Sequence, residues 1–151
     1  MGRYVKGSEA LTRRMKAMPQ AVLEALNPAL ARSAQEIAAD ARSLAETSRS
    51  TGALIASIDA TAPGETTPAY ASDGGRRTAG DGEAFVTAGE PGARHGHLVE
   101  FGTDARQHKD GTSTGTMAAE PFLLPAWRLN MNRVKARLRR VIRAEVRKAA
   151  K

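Results

Sequence analysis

The side chains best suited to chemistry are three histidines and a scatter of carboxylates, and their spacing organises little. His95 and His97 form an H-x-H pair whose imidazoles would share one face if the segment were a strand. A metal centre would need a third ligand, for which Glu100 and His108 are the near candidates. The longer spacings of known metal sites are absent, so turn or surface histidines are the ordinary reading. Cysteine is absent, which removes disulfides, thiolate nucleophiles, Cys-type zinc sites and iron–sulfur ligation together. There is no G-x-S-x-G, no Walker loop and no G-x-G-x-x-G after a strand, and the Asp and Glu residues form no paired arrangement for acid–base work. The expectation is a protein that is not an enzyme, with no catalytic residue, cofactor or metal.

Lysine and arginine offer another chemistry, the binding of anions. The 151-residue chain has a formal charge of +7, but from Arg128 to Lys151 ten Lys or Arg stand against Glu145 alone. That terminal element carries +9 and leaves the remainder at −2. Arg133, Lys135, Arg137, Arg139, Arg140, Arg143 and Arg147 could meet a phosphate backbone without reading bases, or meet an acidic protein partner. Only 4% of residues are aromatic, so base stacking lacks its rings. The competing interpretation is an arginine-rich face that merely solvates an amphipathic helix or pairs with acidic neighbours. A membrane-surface helix is the weakest reading, because the apolar face beyond Trp127 is aliphatic and modest.

These residues need elements to position them. At roughly 150 residues per domain the chain makes one domain, 1–151. Much of its 41% hydrophobic content is alanine, so the expected core is thin and completed by partner subunits. No apolar run approaches the roughly 20 residues that span a bilayer, and Met1 to Lys16 lacks a signal peptide's apolar stretch, so no membrane partner is expected. Ser8-Glu9 with Leu11, Met15 and Met18 predicts a short helix or arm over 1–18, ended by Pro19. Pro19 suits the start of a second helix, in which Val22, Leu26, Leu30, Ile37, Ala41 and Leu44 recur at helical spacing; Pro28 predicts a kink or break near Asn27.

After a polar stop at 47–52, the segment 53–61 predicts a last helical turn followed by a strand. The Gly- and Pro-rich 63–82, with turn signals at Asp73-Gly74 and Asp81-Gly82 and only Tyr70 to pack, predicts a long mobile loop or hairpin tip. Residues 83–88 read as a strand, 97–101 as a strand or short helix, and 102–116 as a second long loop. Pro121 to Pro125 lead into a final helix whose apolar stripe runs through Trp127, Met131, Val134, Leu138, Val141, Ile142 and Val146. The predicted fold is α+β: a long N-terminal helix, a small, mostly antiparallel sheet with long loops, and a basic amphipathic C-terminal helix.

Three segments carry a resemblance. Thr51-Gly52-Ala53-Leu54-Ile55-Ala56-Ser57-Ile58, then Val99-Glu100-Phe101-Gly102-Thr103, then Pro121-Phe122-Leu123-Leu124-Pro125-Ala126 stand in an order that resembles the neck or tail-completion family of long-tailed phages, typified by gene product ten of phage HK-ninety-seven. The likeness spans about Leu11 to Lys148. The chain departs from it by carrying Ser48-Arg49-Ser50 where a proline usually precedes the Thr-Gly, and by the length of 63–82.

The resemblance implies a non-enzymatic virion protein of the neck, assembled in the host cytoplasm. It would form a homo-hexameric ring joining the tail to a DNA-filled head, touching other neck proteins (stopper or adaptor), tail-tube or terminator proteins and the DNA that passes through the channel. The alternatives are a tail-terminator ring protein and a free-standing basic nucleic-acid-binding module. The motif residues themselves have an architectural reading. Gly52 and Gly102 would allow backbone conformations that a side chain strains, and Phe101 and Phe122 would supply scarce aromatic core. Glu100, lying between Val99 and Phe101, would need a partner if buried, and an arginine is the expected one.

Overall fold

The computed structural model describes residues 8–69 and 75–151, with the side chains of its first helix described from residue 19 onward. Helix α1 (Ser8–Ala45) is one unbroken 38-residue helix that contains both Pro19 and Pro28. This corrects the expected end at Pro19 and the expected break near Asn27. An interior proline costs about 3 kcal/mol through a lost hydrogen bond and a clash one turn back. Here both prolines are exposed, so water can reach the backbone they disturb, and the packed face is elsewhere, at Ala34, Ile37, Ala38, Ala41 and Ala45. Asn27, beside Pro28, makes a distant anchor: its Nδ2 donates to Asp81 Oδ1 (3.1 Å) and its Oδ1 accepts the Gly82 N–H (3.0 Å).

A short 3-10 turn (Glu46–Ser48) closes α1, and the helical turn α2 (Ala53–Ala56) leads into strand β1 (Ile58–Thr61), as the sequence predicts. Strand β2 (Phe85–Ala88) pairs antiparallel with β1, setting Ile58 opposite Ala88 and Thr61 opposite Phe85. Between them, the described parts of 63–82 extend this hairpin. Gly64 N–H donates to Ala79 O (2.8 Å), Thr67 N–H to Arg77 O (2.9 Å), and Thr66 bridges Thr78. The predicted Asp73-Gly74 turn and Tyr70 lie outside the described residues.

The stretch at 97–101 resolves to helix α3 (Gly96–Phe101). The predicted loop at 102–116 is instead a two-stranded antiparallel ribbon, β3 (Thr103–Gln107) and β4 (Ser113–Met117), with an irregular register. It escaped a strand reading because strands are usually recognised by apolar alternation, which a ribbon with no buried face does not need. Every residue from Asp104 to Met117 is exposed, so the ribbon stands clear of the core. The sheet is therefore two separate two-stranded pieces.

Helix α4 (Leu123–Ala150) lies antiparallel along α1, as the pairings Asn130 with Asp40, Arg133 with Glu36 and Arg137 with Ser33 require. The core between them is thin in the way the alanine content predicts: Ala38, Ala41, Ala45 and Ala126 bring the helices together, and Ile37, Leu54, Ile58, Val99, Phe122 and Val134 fill the ends. Phe122 and Ile58 are the largest apolar side chains wholly buried. Phe101 is not core: it is 69% exposed. Helix α3 turns Gly96, Val99 and Glu100 inward at helical spacing, and the next position faces away.

The ribbon is joined to α3 through Gly102, whose φ of +72° suits glycine and whose added Cβ would sit 2.8 Å from Met117 O and 2.9 Å from Ala119 N. Gly102→Ala is therefore expected to destabilise the fold by more than about 1 kcal/mol, measured by urea unfolding. A midpoint equal to that of the native chain would contradict the packing described.

Candidate functional site

The partners found for the Glu100 carboxylate among the described residues are backbone amides, where an arginine is expected from the sequence. Glu100 is 6% exposed, and its carboxylate accepts hydrogen bonds from three successive backbone amides at the start of α4: Phe122 (2.8 Å) and Leu123 (2.9 Å) to Oε2, and Leu124 (2.9 Å) to Oε1. The first four N–H groups of any helix lack an intrahelical acceptor. In α4 the first intrahelical bond runs from Ala126 N–H to Phe122 O (3.2 Å), and the residue before it, Pro125, has no N–H to satisfy. One carboxylate and one proline thus dispose of all four groups. The negative charge also stands where the helix dipole favours it, which helps to offset burial.

This contact brings together segments distant in sequence. Leu54 and Ile58 from the first motif, Val99 from the second and Phe122 from the third share one core cluster. Ser57, also buried, donates its hydroxyl to Leu54 O (2.7 Å), and Gly52, at φ +83°, opens α2 beside the exposed Thr51. Glu120 N–H donates to Val99 O (2.8 Å), while Thr103 Oγ1 accepts the Met117 N–H (3.0 Å) at the ribbon's base. Pro121, exposed, precedes Phe122 at the helix cap.

The predicted anion-binding residues do not form one set. Arg137 is turned inward, only 18% exposed, with Nη1 donating to Ser33 Oγ (2.7 Å) and Nη2 to Glu36 (2.7 Å). Arg133 also pairs with Glu36 (3.3 Å) and donates to Asn130 Oδ1, and Arg32 completes a cluster of three guanidinium groups around that carboxylate. The Arg137 hydrogen bond, followed by weaker arginine contributions, holds the Glu36 carboxyl below its ordinary range. Arg139, Arg140, Arg143 and Arg147 remain together on the outer side of α4, and Lys135 is exposed one turn before Arg139, outside the trough they line. Sequence reading missed the seam residues Ser33, Glu36, Asp40 and Asn130. A signal for Asn130 was present: it falls one turn from both Ala126 and Val134, within the buried stripe, where its Nδ2 donates to Asp40 Oδ2 (2.6 Å).

Two further surfaces face solvent. Leu30 and Ile37 of α1, Phe85 and Val86 of β2, and Leu123 and Trp127 of α4 line an open apolar trough of about 490 Å³. Trp127 and Leu124 on its rim are 45% and 44% exposed. The β3–β4 ribbon, bearing His108, projects separately. His95 and His97 are exposed at the start of α3 rather than on a strand, and no group of metal-ligating side chains occurs among the described residues.

These features define an α+β protein organised around helix–helix packing, with substantial surface left for contacts. Residues 9–102 match the model of the HK97-gp10-like family, described as "Bacteriophage HK97-gp10, putative tail-component". The chain belongs to this family, and with it to the structural, virion-associated proteins of phage tails. No curated protein and no solved structure matches it. The matched span contains Glu100 and Gly102 but ends before α4, so the Glu100 carboxylate joins the family region to the final helix. No helix among the described residues is long and apolar enough to cross a membrane.

Two measurements check the polar contacts. Glu100→Ala strands three amides and should cost about 2–4 kcal/mol in chemical unfolding, with Glu100→Gln intermediate because it keeps one acceptor oxygen; a native-like Ala variant would contradict the cap. Glu36 has a folded pKa lowered from 4.5, so its stabilisation is present above the unfolded carboxylate value and is lost as pH falls through the folded one. Glu36→Gln should therefore be less stable than the native chain at neutral pH, with the difference closing in acid. A difference independent of pH would show that the arginine cluster contributes nothing through charge.

Proposed function

We propose that the chain is a non-catalytic neck protein of a long-tailed phage or phage-like particle, forming a homo-hexameric ring that joins the tail to a DNA-filled head. The observation that carries this reading is the open apolar trough along α1, β2 and α4. Scattered exposed apolar side chains are normal, but a contiguous concave apolar surface bordered by a half-exposed tryptophan suits a protein contact. A neighbouring copy seated there would bury Leu124 and Trp127 and complete a core that is thin in the isolated chain. The three motifs hold the start of α4 in place and so shape one wall of that trough.

The projecting ribbon suits contact with a different neighbour, an adaptor, stopper or tail-tube protein. It has no apolar face of its own to bury, and isolated two-stranded ribbons are marginal in water, so docking would stabilise it. Family membership supports the tail assignment, and the arrangement of surfaces supports a subunit that contacts more than one partner.

Loss of the gene should leave DNA-filled heads beside free tails of normal length in negative-stain electron micrographs. Tails of uncontrolled length would instead assign a terminator role, and intact particles would refute both. Trp127→Asp should reproduce the deletion phenotype while the purified chain retains its helical circular dichroism.

A further inference from the structure

The packing of α4 divides its arginines into two populations. Arg133 and Arg137 are committed to Glu36 across the seam with α1. Around the helix from the buried stripe centred on Asn130, Arg139 lies about 180° away and Arg143 about 140°, while Arg147 and Arg140 lie about 100° and 80° away, so all four are clear of the buried line. No acidic side chain among the described residues pairs with any of these four, and Glu145, the acid within α4, is engaged by Lys148. They line a shallow trough of about 500 Å³ together with Ala136 and Ala144. The small alanines leave the helix surface open between the guanidinium groups, so a rod-like anion could approach it closely.

We infer that this outer face of α4 binds the sugar–phosphate backbone of duplex DNA without base specificity. Three observations favour DNA over an acidic protein. The cations are all arginines, whose planar forks match phosphate oxygens in pairs. From Arg139 to Arg147 the helix rises about 12 Å, the axial length of three or four phosphates on one strand at about 3.4 Å each. The trough also lacks the apolar centre of a protein interface, since Leu124, Trp127 and Ile142 lie on a separate flank. Aromatic side chains are missing from its lining, which disfavours single strands that would stack on them. The binding belongs to the chain itself and does not depend on the neck assignment.

Fluorescence anisotropy of a labelled 30-base-pair duplex, titrated with the full chain from about 50 to 300 mM salt, tests the inference. Binding should be weak, with Kd on the order of 10⁻⁴–10⁻⁶ M near physiological salt, and log affinity should fall with log salt with a slope of about −3 to −4. Joint replacement Arg139→Gln, Arg140→Gln, Arg143→Gln and Arg147→Gln should weaken binding at least tenfold at the lowest salt and flatten that slope. Arg128→Gln with Lys135→Gln, nearer the start of α4 and outside the trough, should change it much less. Should the fourfold variant fold poorly by circular dichroism, Arg140→Gln and Arg143→Gln singly should each reduce the slope by about one. Absence of binding at the lowest salt, equal binding by the folded variants, or capture of polyglutamate in preference to DNA would overturn the inference. Each of these outcomes is separate from the particle phenotype of a gene deletion.

Discussion

The start of α4 is held by a single buried carboxylate. Glu100 sits at the end of α3, within the family-matched span, and its two oxygens take up the three amides that the helix cannot satisfy internally. Pro125 removes the need for a fourth acceptor. Much else follows from where that contact sets the helix. Phe122 is placed in the core beside Ile58 and Val99, Ala126 meets the alanines of α1, and the seam residues Asn130, Arg133 and Arg137 fall into register with Asp40, Glu36 and Ser33. A rotation of α4 by one residue, about 100°, would turn these polar partners apart.

The seam also decides what remains available to other molecules. A core made largely of alanine cannot bury the larger apolar residues of α4, so Leu124 and Trp127 stay at the rim of the trough. Glu36 draws two of the basic side chains inward and leaves an outer arginine face with little of the helix's acid near it. The ribbon beyond Gly102 is a third surface, mostly polar and exposed along its length. A fold that leaves an apolar trough, a cationic face and a free ribbon on different sides is suited to a component that is completed by its assembly.

Much of this was legible in the sequence. Helical spacing announced α1 and α4, the turn-then-strand pattern at 53–61 appears as α2 and β1, and the motif order pointed to the family. The failures have physical causes. Pro19 and Pro28 carry strong local stop signals, yet α1 runs through both with the two prolines on its exposed side. The ribbon at 103–117 has no buried face and so shows no alternation. The position of Glu100 signals the need for a partner, but a charge usually suggests an opposite charge, whereas this one accepts from backbone amides that no sequence pattern displays. Residue type alone suggests a core position for Phe101, whereas α3's spacing turns it outward. The basic residues were counted together because charge is visible in sequence, while the pairing that consumes Arg133 and Arg137 depends on a helix a hundred residues away.

Amide hydrogen exchange on the native chain tests the cap most directly. Amides in the first turn of a helix ordinarily exchange quickly, since no carbonyl within the helix protects them. Here Phe122, Leu123 and Leu124 should be protected to a degree comparable with the interior of α4, because Glu100 accepts all three. Exchange of these amides at the rate of an open helix end, with the rest of α4 protected, would contradict the account.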